Sequence, residues 1–189
     1  MHTSKKTRQK IIDTARVLFD EHGYDHVSIK DICSAMKLGR STFYYHFKTK
    51  EQLLAEFYHS ESVYTTDNMS WILTAPSNLE RAYRIQLVYE NHLVHLGSDD
   101  AVLKFIISAL SNRDEKSIDS LDQVRKLLIP VIEQCQQSGE IKNQTPASEL
   151  CEVALRIQSG IILQYFMIDN TINREKALIE SLKVLYNPE

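Results

Sequence analysis

The sequence predicts an all-α protein of about nine helices, a small N-terminal three-helix helix-turn-helix domain joined to a larger C-terminal helical bundle. Apolar residues recur at three- and four-residue spacing along nearly all of the 189 residues, and the five glycines and four prolines stand mainly at the ends of those stretches. No alternating run is long enough to argue for a sheet. No internal repeat or low-complexity tract interrupts the pattern.

The first helix is predicted from about Ser4 to His22, with Ile11, Ile12, Ala15, Leu18 and Phe19 on its buried face and Gly23 where a helix C-terminal glycine belongs. Its start carries Lys5, Lys6, Arg8 and Lys10, which suit a phosphate backbone or simply a solvated helix start.

The stretch 28–51 is the most informative. Ser28 is a good N-cap with Asp31 at the reciprocal position, and Ile29, Ile32, Cys33 and Met36 then recur at helical spacing. Lys37-Leu38-Gly39 breaks this helix, with Gly39 expected to supply the backbone freedom for the turn. Arg40 to His46 forms another short helix anchored inward by Phe43 and Phe47, so the helix-turn-helix motif spans 28–47. Thr49 caps the next helix with Gln52 opposite it, and Lys48 and Lys50 stand at that helix start.

The outer face of the second short helix keeps Arg40, Ser41, Thr42, Tyr44, Tyr45 and His46, all hydrogen-bonding groups with no carboxylate among them. An α-helix fits the major groove of DNA, where an Arg donates twice to a guanine edge and hydroxyls reach bases or phosphates. Ser28, Lys48 and Lys50 complete the candidate DNA-binding set, because helix N-termini beside lysine attract phosphate. An ordinary α-hairpin with packed tyrosines fits the same spacing.

Two longer stretches tip this balance. Residues 7–24, TRQKIIDTARVLFDEHGY, and residues 38–54, LGRSTFYYHFKTKEQLL, resemble the first helix and the recognition helix of the TetR (tetracycline repressor) family of bacterial transcriptional regulators. The resemblance covers roughly the first third of the chain. Gly39 replaces that family's usual Ser or Thr cap, and Ser41 stands where a glycine is common; both bear on base preference rather than on fold. The resemblance implies a DNA-binding domain at 1–49 and an effector-binding and dimerisation domain at 50–189.

Charge is distributed accordingly. Residues 1–50 hold ten Lys/Arg and five Asp/Glu, a balance of +5, and residues 51–189 hold twelve and twenty, a balance of −8, which together give the net −3. The basic third coincides with the proposed DNA reader, and an acidic body discourages DNA from lying elsewhere. Cys33, Cys135 and Cys151 are odd in number and far apart, which predicts reduced thiols rather than a disulfide framework. No apolar run follows the opening residues, so a cytoplasmic protein without a signal peptide is expected.

A fourth helix is predicted from Lys50 to about Leu73, anchored by Leu53, Leu54, Phe57, Tyr58 and Tyr64. Pro76 ends that region. A fifth, from Asn78 to Leu96, uses Leu79, Tyr83, Leu87 and Leu93 and closes at Gly97. A sixth spans Ala101 to Leu110, and a seventh Ile118 to Ser138, with a kink or break near Pro130 and a stop at Gly139. Thr145 as N-cap and Pro146 at the first helical position begin an eighth that continues to about Ile168. A ninth, from Asn173 to Tyr186, carries Ala177, Leu178, Leu182 and Leu185.

The eighth helix is apolar nearly all the way round. Leu150, Ala154, Ile157, Ile161, Tyr165 and Ile168 form one row, while Val153, Leu163 and Met167 fall elsewhere. Glu152, Arg156, Gln158 and Gln164 argue against a membrane span. Burial against both its own body and a partner chain fits, and Gly160 allows close approach of another helix. The resemblance implies a homodimer through the last two helices, with Leu150, Ala154, Ile157, Gly160, Ile161, Leu178, Leu182 and Leu185 as candidate interface residues, reading a palindromic operator in double-stranded DNA.

The family binds a small-molecule effector among the body helices. Tyr64, Met69, Trp71, Tyr83, Tyr89, Phe105 and Tyr165 are candidates to line that site, although aromatics at helical spacing also serve as plain core. The function expected is a ligand-responsive repressor released from its operator by the effector. A ligand-dependent activator, a helical protein-binding adaptor and a metal-dependent enzyme are the alternatives. For the last, His92 and His95 with Asp99 and Asp100 offer a metal-like spacing, which surface histidines at a helix end also explain. No phosphate-binding glycine loop, nucleophile elbow or HExxH pattern is present, so neither enzyme activity, a cofactor nor a metal is expected.

Overall fold

The computed structural model describes residues 2–53, 63–95, 99, 102–104, 106–107 and 116–188. The fold is all-α. Helices α1 (His2–His22), α2 (Ile29–Ala35), α3 (Arg40–His46), α4 (Thr66–Leu73), α5 (Asn78–His95), α6 (Lys116–Ser138), α7 (Ala147–Met167) and α8 (Arg174–Tyr186) succeed one another, and among the described residues there is no strand, only an isolated antiparallel bridge between Ile141 and Pro188. The chain packs as two units, one of residues 1–62 with 93–117, the other of 63–92 with 118–189.

In the first unit Ile11, Ile12, Ala15 and Phe19 of α1 are buried, as are Ile32 and Cys33 of α2, Phe43 of α3, and Phe47 and Leu53 beyond it. Burying a side chain of this kind contributes roughly 1.5–3 kcal/mol. Leu18, expected inside, is half-buried. Gly23 ends α1 at φ +81°, the conformation that favours glycine there. The capping box of α2 is formed: Ser28 Oγ accepts from the Asp31 N–H, and the Asp31 carboxylate accepts from the Ser28 N–H.

The turn between α2 and α3 is made differently from the sequence expectation. Lys37 takes the left-handed conformation at φ +53°, whereas Gly39 is the extended N-cap of α3 at φ −70°. The reversal comes directly after Met36, where the Lys37 N–H bonds to the Ser34 carbonyl and the Leu38 N–H to the Cys33 carbonyl, so the residue in that closing position must turn left-handed whatever its side chain.

In the second unit one apolar core gathers Ile72 of α4, Ala82, Ile85 and Val88 of α5, Val124, Leu128 and Ile132 of α6, Leu150, Ala154 and Leu155 of α7, and Leu178, Leu182 and Tyr186 of α8. Glu140 caps the start of α5, its carboxylate accepting from the N–H groups of Asn78 and Leu79. Two helix starts differ from expectation, and of the kink or break expected at Pro130 no break is formed. The helix predicted to run unbroken to Leu73 is interrupted, because Thr65 Oγ1 accepts from the Asn68 N–H and begins α4 afresh. Helix α6 runs through Pro130 without a break. Helix α7 starts one residue late, with an extended Pro146 as its N-cap at ψ 133°, while the Thr145 N–H turns to Asn143 Oδ1.

Candidate nucleic-acid interface

The candidate recognition surface is built on α3. Phe43 and Phe47 point inward with ring centroids 5.8 Å apart, and the Arg8 guanidinium lies 4.9 Å from the Phe47 ring centre. Anchoring those two rings fixes the rotation of the helix. Arg40, Ser41, Tyr44 and Tyr45 are therefore exposed, with Thr42 and His46 half-exposed beside them. Tyr45 is 74 % accessible although aromatic, and its ring meets the edge of His46 at 4.9 Å. Tyr44 packs edge-on to Phe43 at 5.7 Å and keeps 45 % exposure. A face of one Arg, two hydroxyl side chains, two tyrosines and an imidazole suits base edges and phosphates.

Beyond α3, Lys48 is exposed, while its N–H donates to Gln52 Oε1 at 2.7 Å and Thr49 Oγ1 accepts from the Gln52 N–H at 3.1 Å. This pair holds the start of the helical residues 50–53, a positive end beside an exposed lysine side chain.

Two residues of the predicted set are committed elsewhere. The Lys50 ammonium donates to the backbone carbonyls of Tyr24 at 2.8 Å and Val27 at 3.0 Å, and sits 3.9 Å from the Tyr24 ring centre. It ties the helix start to the α1–α2 turn instead of facing phosphate. The Ser28 hydroxyl donates to Asp31 Oδ2 at 2.6 Å while its N–H donates to the same oxygen at 2.9 Å, so both donors a phosphate would need are occupied. That hydroxyl bond, first among its causes, also holds the Asp31 carboxyl below its ordinary range. Tyr24 is the supporting residue that sequence reading missed. It is buried, packs against Phe19 at 5.0 Å and donates its hydroxyl to Glu51 Oε1 at 3.3 Å.

The predicted interface residues of the body divide sharply. Leu150, Ala154, Ile161, Leu178 and Leu182 are buried in the chain's own core, so they are not available to a partner. Ile157 and Leu185 are partly buried against that core. Gly160 is exposed, and a Cβ there would meet nothing within 4 Å, so among the described residues no other helix packs against it. The exposed apolar residues of the last two helices are instead Val153, Leu163, Met167 and Val184, the last two 73 % and 83 % accessible.

The predicted effector residues do not converge on one described cavity. Tyr83 is a buried core residue, and Tyr64, Met69 and Tyr89 pack against the same core, with the Tyr64 hydroxyl donating to the Ile85 carbonyl at 3.2 Å. Trp71 is exposed, with the Arg84 guanidinium 4.8 Å from its ring centre; Tyr165 carries Arg174 at 4.3 Å in the same way. Phe105 lies outside the described residues. An open groove along α7 is lined by Ser148, Glu149, Glu152, Val153 and Arg156, none of them a predicted effector residue.

Cys33, Cys135 and Cys151 are buried and free, and burial pushes the last two thiols up to about 12 and about 11. A redox sensor needs the opposite. Among the described residues no group of three or more His, Cys, Asp or Glu is placed to hold a metal, and no helix is long and apolar enough to cross a membrane. The side chains of His95 and Asp100 lie outside the described residues.

A three-helix unit that presents a short carboxylate-free helix, followed by a helical body, is the architecture of a helix-turn-helix DNA-binding protein. Residues 11–57 match the model of the bacterial regulatory proteins of the tetR family. That stretch is similar to the family's N-terminal DNA-binding domain. It is 24 % identical over 170 residues to the probable acrEF/envCD operon repressor of Escherichia coli K12, a match covering 86 % of this chain and 77 % of that protein. It is 30 % identical over 93 residues to the transposon Tn10 TetC protein of Escherichia coli, where the match spans 49 % of this chain and under half, 45 %, of TetC. Thermus thermophilus FadR, a TetR-family transcriptional repressor solved in complex with lauroyl-CoA, shares the fold at a TM-score of 0.67 and 14 % identity, with 94 % of this chain and 92 % of that one aligned.

Proposed function

We propose that this chain is a ligand-responsive repressor that binds a palindromic operator as a homodimer and leaves it when a small molecule binds the body, with residues 1–49 as the DNA reader and 50–189 as the effector and dimerisation part. The observation that carries the reading is the exposed face of α3, where Arg40, Ser41, Thr42, Tyr44, Tyr45 and His46 stand without a carboxylate while Phe43 and Phe47 hold the helix from behind. Arg40 and Tyr44 contact bases, the smaller hydroxyls and Lys48 contact phosphate, and the pairing of two such helices makes the site palindromic.

Dimerisation uses the outward row of α7, where Val153, Gly160, Leu163 and Met167 lie at helical spacing, together with Val184 of α8. Scattered apolar residues need no explanation, but a row on two adjacent helices does. The effector acts by population shift, favouring a dimer state whose recognition helices no longer match successive major grooves. The protein works in the cytoplasm, where its DNA is.

Titrating the purified chain against the DNA flanking its own gene, with unrelated DNA as competitor, tests this reading. Specific retention of one fragment at a stoichiometry of two chains per site is the expected result. Equal affinity for both DNAs at matched salt contradicts it.

A further inference from the structure

Three polar residues lie inside the second unit with almost no exposure: Gln86 at 0 %, Glu90 at 1 % and Gln158 at 1 %. Their orientation is fixed by what their amide groups donate to. Gln86 Nε2 donates to the Ala82 carbonyl at 3.2 Å and lies 3.0 Å from the Tyr186 hydroxyl; Gln158 Nε2 donates to the Gln86 carbonyl at 3.0 Å and to Glu90 Oε2 at 3.1 Å. Flipping Gln158 would set its oxygen against the Gln86 carbonyl and the Glu90 carboxylate, and flipping Gln86 would set its oxygen against the Ala82 carbonyl while the Tyr186 hydroxyl suits either orientation, so in this arrangement each amide presents its own oxygen the other way.

Those oxygens have no donor. Gln86 Oε1, Gln158 Oε1 and Glu90 Oε1 are all buried and unsatisfied among the described residues, and so is Nη1 of Arg174. Arg174 approaches Glu90 only to 4.0 Å, too long for a hydrogen bond, and spreads over the Tyr165 ring instead. Leaving a buried acceptor unmade is costly, and a core rarely leaves three on neighbouring side chains. Among the described residues, packing accounts for the amide donors but gives those oxygens nothing to accept.

We propose that Gln86, Glu90 and Gln158 receive the protonated amino group of a small effector, with Arg174 donating to an acceptor elsewhere on the same molecule. This rests on the ligand-responsive reading above and narrows it to a chemical class. An ammonium carries three N–H donors and the positive charge that Glu90 lacks at hydrogen-bonding distance. A carboxylate or a purely apolar molecule would leave the three oxygens unpaired, and an anion would face Glu90 directly.

The test uses the full chain and a matched panel: butylamine, 2-phenylethylamine and 1,4-diaminobutane; the neutral 1-butanol and 2-phenylethanol; and the anions butyrate and phenylacetate. Binding is read by calorimetry, and release by operator DNA retention. At least one amine binds saturably and weakens DNA retention, its alcohol and carboxylate counterparts do not, and Glu90→Gln lowers amine affinity by about tenfold or more, as loss of a charge-assisted hydrogen bond requires. Gln158→Met, checked for folding by its melting transition, lowers it as well. Amine binding that is unchanged in Glu90→Gln overturns the proposal, as does a crystal structure with saturating amine in which water alone occupies the three oxygens. Release of DNA by the alcohols or carboxylates but no amine overturns the proposal and leaves ligand-responsive repression standing. Failure of every class to bind or to move DNA overturns both.

Discussion

The Lys50 ammonium lies 2.8 Å from the Tyr24 carbonyl oxygen and 3.9 Å from the centre of the Tyr24 ring. One cation thereby joins residues 26 positions apart, and with the Val27 carbonyl it closes the α1–α2 turn onto the helix that follows the reader. Its role is to hold the domain together.

Lys50→Met should therefore destabilise the DNA-binding unit by about 2 kcal/mol, the usual range for hydrogen bonds to a charged group. The salt dependence of DNA binding should hardly change. Lys48→Ala should do the reverse, leaving stability intact and reducing the salt slope by about 1. Denaturant melts beside salt titrations of DNA affinity check both; equal salt effects for the two variants would return Lys50 to the phosphate contacts.

Lys37 holds φ +53° where a side chain is strained, whereas Gly39 is extended with room for a Cβ, its nearest neighbour Ser41 Oγ at 3.6 Å. Lys37→Gly should raise stability by about 1 kcal/mol. Gly39→Ser should add a few tenths through a new N-cap, roughly the glycine-to-serine difference at that position. A destabilised Lys37→Gly variant would show that the turn is made otherwise.

Ile161 is 8 % exposed and Met167 73 %, on the same helix. Ile161→Glu should unfold the chain, since an unpaired carboxylate in that core costs several kcal/mol. Met167→Glu should leave the melting cooperative and shift the protein from dimer to monomer at micromolar concentration. Sedimentation and circular dichroism together distinguish the two, and a folded, monomeric Ile161→Glu would reverse the assignment of the rows.

Burial pushes the Glu90 carboxyl above its ordinary range, Glu175 adds to that, and the Gln158 hydrogen bond and Arg174 oppose it without prevailing. The folded chain thus holds this proton more tightly than the unfolded chain, whose carboxyl titrates near 4.5. The stabilising contribution is present below that value and is lost as pH rises through the folded one. Glu90→Gln should flatten the pH profile of the melting temperature and melt above wild type near neutrality. Parallel profiles for the two proteins would contradict this.

The reader was legible because its determinants are local. The Ser28–Asp31 capping box and the four-residue step from Phe43 to Phe47 are patterns within one turn or two, and the structure forms both. What escaped depends on distant chain. Lys50 reads as a surface charge until the Tyr24–Val27 turn brings carbonyls to it. Periodicity gives the helix after Pro146 two apolar rows but not which one its own bundle covers; Leu150, Ala154 and Ile161 are buried in that bundle, and Val153, Leu163 and Met167 are the exposed ones. Gln86, Glu90 and Gln158 carry no motif, and only their shared burial marks them.

The outer face of α3 is the proposed base reader. Its most direct test is operator affinity at fixed salt for Arg40→Ala and Tyr44→Ala against wild type, with non-specific DNA measured in parallel. Each variant should lose about 1–3 kcal/mol on the operator and much less on non-specific DNA. Operator affinity unchanged in both would remove α3 as the reader.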